Sequence, residues 1–290
     1  MELDLSDAYH KCEQLVKSQT TSFFLASKTL PYHKRRAVYA VYAFCRVCDD
    51  VVDNDNDIRE KTIALNKIKS SIRSVHKIDS RNPIIFALKD VIGQYNIPVE
   101  YFEELIIGME SDLNLVRFNN FDELKLYCYR VASTVGLICL NIFGYQDEKC
   151  KDLATDLGIA MQLTNIIRDI KEDFELNRIY IPKEDFENTG YTYNELLNSQ
   201  TNDNFHKLIY LQIFRAEKYF NRSKSLQELV SKDSKTCVGL IADVYIKLLN
   251  HMNKTPNLIL KKRTSLTFTD KISLIIKCYI SIIKKQLFIY

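Results

Sequence analysis

Two groups of aspartates carry the chemistry that this sequence could do. In Arg46-Val47-Cys48-Asp49-Asp50-Val51-Val52-Asp53, one guanidinium and three carboxylates fall within about a 100° arc of a helix. Like charges at three- and four-residue spacing repel. The cluster is therefore either a solvated acidic helix end, running on into Asn54 to Asp57, or a site for a cation. Hard oxygen ligands grouped in this way suit Mg²⁺, which takes one or two carboxylates together with substrate phosphate oxygens. The second group is Gln162, Asn165, Asp169 and Asp173, which share about an 80° arc of a segment otherwise rich in Leu, Ile, Met and Ala. A polar stripe on an apolar helix needs a polar partner, and Arg168 and Lys171 lie beside it. Helices facing each other with these stripes would surround a cavity with aspartates Asp49, Asp50, Asp53, Asp169 and Asp173. Metal ions held there would bind a diphosphate and stabilise the charge that develops as its C–O bond breaks. That is chemistry of ionisation rather than of a nucleophilic side chain. The chain has no G-x-x-x-x-G-K-[ST] or G-x-G-x-x-G run, which argues against nucleotide-type phosphate binding.

Such stripes need long, unbroken helices to position them. With 7 Gly and 5 Pro in 290 residues, the sequence lacks the turn residues that a sandwich or barrel uses, and an all-α fold is expected. Apolar periodicity predicts helices from Leu5 to about Thr20, from Pro31 to Val52, from Ile58 to about Lys77, from Pro83 to Tyr95 and from Pro98 to Met109. Asp122 is expected to cap a run from Leu124 to Phe143. One further helix is expected over 149–176, then an extended stretch, Asn177 to Pro182. Helices follow at about 193–199, 203–229, 235–252 and 270–288. No repeat or low-complexity linker divides the chain, so residues 1–290 are read as a single domain.

Forty basic and 37 acidic residues are too evenly balanced for a nucleic-acid binder. The eight cysteines sit in apolar helical segments with no secretory signal before them, which reads as a reducing cytoplasm. Cys45 and Cys48 form a C-x-x-C without a second pair or a nearby His, and are read as small buried side chains rather than zinc ligands. Near the C-terminus, Ile272, Ile275, Ile276, Tyr279, Ile282, Ile283 and Leu287 recur at helical spacing. Lys277, Lys284 and Lys285 interrupt this segment, so it does not span a bilayer; it either packs on the core or lies as a peripheral helix on the inner face of a membrane.

The two aspartate motifs, Asp49-Asp50-Val51-Val52-Asp53 and Gln162 to Asp173, resemble the paired signatures of the squalene/phytoene synthase family of head-to-head prenyl transferases. Further matches are Ser22-Phe23, Arg35 to Tyr39, Gly108 to Asp112, Tyr127 to Gly136, Asn177 to Pro182, Tyr245, Arg263 and Lys271. The resemblance covers most of the chain and is most similar to the bacterial dehydrosqualene-forming (4,4'-diapophytoene-forming) members. It implies a class I isoprenoid (terpenoid) synthase helical bundle around a central cavity. It also implies head-to-head condensation of two farnesyl diphosphates, via presqualene diphosphate, to dehydrosqualene for C30 carotenoid biosynthesis, with Mg²⁺ and no bound redox cofactor. The alternatives are phytoene formation from geranylgeranyl diphosphate, NADPH-dependent squalene formation, and a binding or assembly module that has kept the fold. No obligate protein partner is implied.

By residue, the resemblance implies that Asp49, Asp53, Asn165, Asp169 and Asp173 hold the metal, with Gln162 completing the stripe. Asp49, Asp53, Asp169, Asp173 and Tyr127 are the implied catalytic residues. Substrate contacts are implied for Ser22, Phe23, Arg46, Gln162, Asn165, Arg168, Tyr180, Tyr245, Arg263 and Lys271. The prenyl tails need an apolar tunnel that excludes water; matching wall positions are Phe23, Val131, Ala132, Val135, Gly136, Ala154, Leu157 and Met161. Ser27 and Tyr39 fall where the family places tunnel-end residues. Ser27 is smaller than the bulky residue associated with C15 selectivity.

Overall fold

The computed structural model describes residues 4–19, 21–73, 82–114 and 116–287. Among them the chain is helical throughout, with two isolated bridges, Arg117 to Ile179 and Tyr145 to Val230, and no strands. In chain order the helices are α1 (Leu5–Gln19), α2 (Thr21–Ser27), α3 (Tyr32–Asp53), α4 (Ile58–Arg73), α5 (Pro83–Tyr95), α6 (Val99–Ser111), α7 (Phe121–Cys128) and α8 (Thr134–Phe143). The second half holds α9 (Lys149–Glu175), α10 (Lys183–Thr189), α11 (Tyr193–Leu197), α12 (Asp203–Ser223), α13 (Leu226–Leu229), α14 (Lys235–Lys254) and α15 (Phe268–Leu287). The expected end of the fourth helix near Lys77 lies outside the described residues.

Local chemistry explains most boundaries. The Asn82 side chain accepts hydrogen bonds from the backbone N–H groups of Ile84 and Ile85, Pro83 occupies the first turn, and Asn96 ends α5 in the left-handed region at φ 48°. These are the start and stop signals expected of a helix. α7 corrects one expectation: its cap is Asn120, which accepts from Glu123 N at 3.0 Å, and not Asp122. The expected helix over 203–229 is likewise two, α12 and α13, separated at Lys224 and Ser225. Short helices α2 and α10, which no apolar period marks, also form.

The apolar run from Leu124 to Phe143 is not one regular helix. Residues Tyr129–Ser133 form a π-helical turn between α7 and α8, an insertion that re-aims side chains and is common at functional sites. Two glycines make room for it. A Cβ on Gly108 of α6 would lie 2.7 Å from Val131 Cγ1 and 2.8 Å from Arg130 Cβ, and one on Gly158 of α9 would lie 2.5 Å from Ser133 Cα. This helix pair is long and apolar enough to cross a membrane, yet half of that window is buried inside the protein, where Leu124, Leu137, Ile138 and Leu140 belong to the core.

The core forms two clusters, one built mainly on α1, α3, α5, α6 and α8 and the other mainly on α7, α9 and α12. Leu157 and Tyr245 pack against both, and a cavity opens between the clusters. None of the eight cysteines is in a disulfide among the described residues, and Cys48 is fully buried. On α15, Leu274 and Cys278 turn inward, whereas Ile272, Ile275, Ile276, Tyr279 and Ile283 are exposed. Of the two readings of this helix, packing on the core therefore holds for Leu274 and Cys278 and not for most of its isoleucines.

Candidate active site

The cavity between the two clusters has a volume of about 680 Å³ and a polar mouth above an apolar wall. α3 brings Asp49 to it and α9 brings Gln162, Asn165 and Arg168; Arg263 reaches it from the segment after α14. Tyr127, Tyr245, Ser22 and Phe23 also line it, as do all eight expected tunnel-wall residues. Phe23 stacks on Tyr42 with ring centroids 5.2 Å apart. Ser27 and Tyr39 are expected at the tunnel end. Both are buried, but neither lines the cavity; the Ser27 hydroxyl donates to Phe24 O at 2.9 Å.

At the mouth, the C-terminal ends of three helices meet. Asp49 and Asp53 occupy the last two turns of α3, Asp169 and Asp173 the last two turns of α9, and Asp112 caps α6. A helix C-terminus already carries partial negative charge, so carboxylates there repel both one another and the helix ends. Burial and mutual repulsion raise the proton affinity of Asp49, Asp112 and Asp173. Burial and the neighbouring Asp53 push Asp49 up to about 6. Burial and Asp169 push Asp173 up to about 7. Asp112 rises to about 6 through burial, although hydrogen bonds from Tyr180 and Tyr127 oppose the rise. Asp169 behaves oppositely: burial acts to raise it, but Arg168 and Arg263 hold it below its usual range. Arg168 Nε donates to Asp169 Oδ1 at 2.8 Å, and Arg263 donates to both carboxylate oxygens at 2.8 and 3.2 Å.

Asp112 and Arg178 were not assigned site roles from sequence, and both belong to this group. The Tyr127 and Tyr180 hydroxyls each donate to Asp112 at 3.0 Å, one to each oxygen, and their rings stack with centroids 5.0 Å apart. Arg178 follows Asn177, whose left-handed φ of 60° reverses the chain after α9. Its own N–H then bonds Asp173 O at 2.8 Å and its guanidinium reaches Asp53 at 3.1 Å. Asp112 ends the motif Gly108 to Asp112 and Arg178 lies in Asn177 to Pro182. Neither has a periodic partner on its own helix, and that is the signal that picked out the other aspartates.

Three expected substrate contacts, Arg46, Lys271 and Tyr180, are not brought to the cavity wall, and Asp53, Asp169 and Asp173 lie beyond its lining. Arg46 forms an ion pair with Asp50 at 2.7 Å on its own helix. Lys271 is exposed on the first turn of α15. Tyr180 sits one layer behind the wall, reaching the mouth through Asp112.

The donor set fits divalent cations held together with an anion. Asn165 Nδ2 donates to Gln162 at 3.3 Å, while its Oδ1 is buried with no partner, and such an acceptor is costly to leave unpaired. Among the described residues no three carboxylate, His or Cys side chains are close enough to hold one ion alone. An arrangement of this kind suits Mg²⁺, which keeps waters and takes one or two carboxylates plus phosphate oxygens.

Comparison with known proteins is consistent across sequence and structure. A family model described as squalene/phytoene synthase matches residues 16–270. A phytoene synthase of Arthrospira platensis is 32% identical over 262 residues, covering 86% of this chain and 85% of that protein. A crystal structure of a dehydrosqualene synthase superposes with a TM-score of 0.86 at 28% identity, covering 99% of this chain and 98% of that one. The squalene synthase HpnC from Alicyclobacillus acidocaldarius superposes with a TM-score of 0.80 at 28% identity, covering 87% of this chain and 95% of that one.

Proposed function

The chain belongs to the squalene/phytoene synthase family, a family of prenyltransferase type that uses prenyl diphosphates and is generally dependent on divalent metal; from this premise we propose that it joins two farnesyl diphosphates head to head, via presqualene diphosphate, into dehydrosqualene. The observation that carries this reading is a cavity in which a mouth carrying aspartates and arginines opens onto an apolar wall. One end is built for a diphosphate and the other for a prenyl chain.

In the first step the C–O bond of one substrate breaks, the diphosphate leaves with the electron pair, and the double bond of the second substrate attacks the allylic cation. Loss of a proton closes the cyclopropane of presqualene diphosphate. In the second, that diphosphate leaves, the carbon skeleton rearranges, and loss of another proton gives the C30 hydrocarbon. Asp49, Asp53, Asn165, Asp169 and Asp173 would hold Mg²⁺, which supplies positive charge to the departing diphosphate. Arg168 and Arg263 present planar guanidinium donors that match phosphate oxygens, with the Tyr245 phenol on the same wall. Asp112 keeps Tyr127 and Tyr180 oriented, so that Tyr127 faces the cavity beside the reacting diphosphate. The apolar wall, with Phe23, Val131 and Met161, excludes water that would quench the cation.

A second reading, phytoene formation from geranylgeranyl diphosphate, is favoured by the sequence relatives, of which the Arthrospira protein is named a phytoene synthase. Product analysis with C15 and C20 diphosphates, each with and without NADPH, separates the readings. A C30 polyene with three central conjugated double bonds, formed from the C15 substrate without NADPH, is expected. A product from the C20 substrate alone supports the second reading, and squalene formed only with NADPH refutes both.

A further inference from the structure

The last helix carries an apolar face that nothing in the described structure covers. Its inward side is anchored: Leu274 and Cys278 are buried, and Cys278 Sγ meets Leu25 O of α2 at 3.5 Å. Its outward side is not. Phe268, Ile272, Ile276, Tyr279, Ile280 and Ile283 are exposed by 40 to 77%, and at 100° per residue they fall within about a 120° arc. A continuous exposed strip of large apolar side chains marks an interaction surface rather than an ordinary water-facing helix.

The charges around the strip identify its partner. Lys271 lies about 60° to one side of the arc and Lys277 about 60° beyond the other. Lys277 is paired with Asp243 at 2.6 Å, and the one acidic residue of the described helix, Asp270, is taken up by Lys247 and His251, each at 2.8 Å. Lys261 and Lys262, in the segment leading to α15, are exposed. Uncompensated charge beside the face is therefore positive. An apolar strip with exposed Lys271 at one edge and Lys261 and Lys262 on its approach matches the boundary between acyl chains and anionic headgroups, whereas these lysines would repel their counterparts if the strip faced a second copy of itself.

We propose that this face of α15 docks the protein on an anionic lipid bilayer, with the helix lying in the plane of the interface. The helix does not insert across it, because its other side is bound to α2 and α14. Docking would set the cavity mouth beside the membrane: Arg263 lies five residues before Phe268, and α2, on which α15 packs, contributes Ser22 and Phe23 to the cavity wall. Transfer of an apolar product from cavity to bilayer rests on the proposed function; the docking itself does not.

The test is flotation of the full chain with vesicles made of equal parts phosphatidylcholine and phosphatidylglycerol. The protein should float with these vesicles, and far less with phosphatidylcholine alone or at high salt, where headgroup attraction is screened. Ile276→Ser combined with Tyr279→Ser should lower the bound fraction about tenfold or more. Its helical circular dichroism and its turnover of detergent-dispersed substrate should be unchanged. Absence of flotation with anionic vesicles, or equal flotation of the double variant, would overturn the proposal. So would a solution dimer that the double variant converts to monomer, since the face would then belong to a second copy. Flotation needs no turnover, so its failure is separate from any failure of the proposed reaction.

Discussion

Replacing Asp173 by asparagine should make the metal-free protein more stable while removing its activity. Asp173 lies in the last two turns of α9, and burial, the Asp169 carboxylate and Asp112 together raise its proton affinity from 3.8 to about 7. A folded-state value above the unfolded one means that its contribution to stability is complete below pH 3.8 and is lost as the pH climbs through about 7. The rise corresponds to about 4 kcal/mol at full strength, and to about 2 kcal/mol once screening by water at the cavity mouth is allowed for. Asparagine keeps the shape and carries no charge, so above pH 7 in the presence of a chelator the variant should melt roughly 4 °C higher than the parent. Below pH 4 the difference should vanish. Thermal unfolding of both proteins from pH 4 to pH 8.5, with chelator and then with Mg²⁺ and inorganic diphosphate, measures this. Adding the metal and anion should close the gap, because the parent alone recovers its full ligand set. Equal or lower stability of the variant at pH 8 without metal would refute the view that this mouth is an uncompensated acidic site.

Other residues give independent checks. Asp112→Asn leaves one of the Tyr127 and Tyr180 hydroxyls without an acceptor, which should cost about 1–3 kcal/mol in urea unfolding and lower kcat/KM by about one to two orders of magnitude through disordered phenols. Gly158→Ala places a methyl group 2.5 Å from the Ser133 backbone; it should destabilise by about 1–3 kcal/mol, and calorimetry would show it. Arg263→Ala frees Asp169 from one of its two guanidiniums. It should raise KM for the prenyl diphosphate about tenfold, seen in steady-state kinetics as a larger change in KM than in the melting temperature.

The aspartates at Asp49, Asp53, Asp169 and Asp173 were readable because a helical period puts like charges on one face, which a folded chain does not do without reason. The helices that carry them were readable from the same period, and their ends from Asn82, Pro83 and similar local signals. Asp112 and Arg178 were not assigned roles, because one caps a helix end and the other follows the chain reversal at Asn177, and neither has a partner at three- or four-residue spacing. The π turn at Tyr129–Ser133 was also hidden, since one extra residue in a turn leaves an apolar run looking continuous. Gly108 and Gly158, which admit it, act through contacts distant in sequence. On α15 the apolar period was plain, but periodicity alone does not say whether a face meets protein or leaves it; the inward face proved to be Leu274 and Cys278, and most of the isoleucines face outward. Arg46 shows the converse limit, as its local ion pair with Asp50 competes with any role at the cavity.

The most direct test of the whole account is release of diphosphate from farnesyl diphosphate by the purified protein, followed together with hydrocarbon formation, with Mg²⁺ and after chelation. The cavity predicts two diphosphates released for each C30 product, only in the presence of metal. Failure to release diphosphate from either a C15 or a C20 substrate with Mg²⁺ supplied would contradict the assignment of this cavity as a site of prenyl diphosphate ionisation.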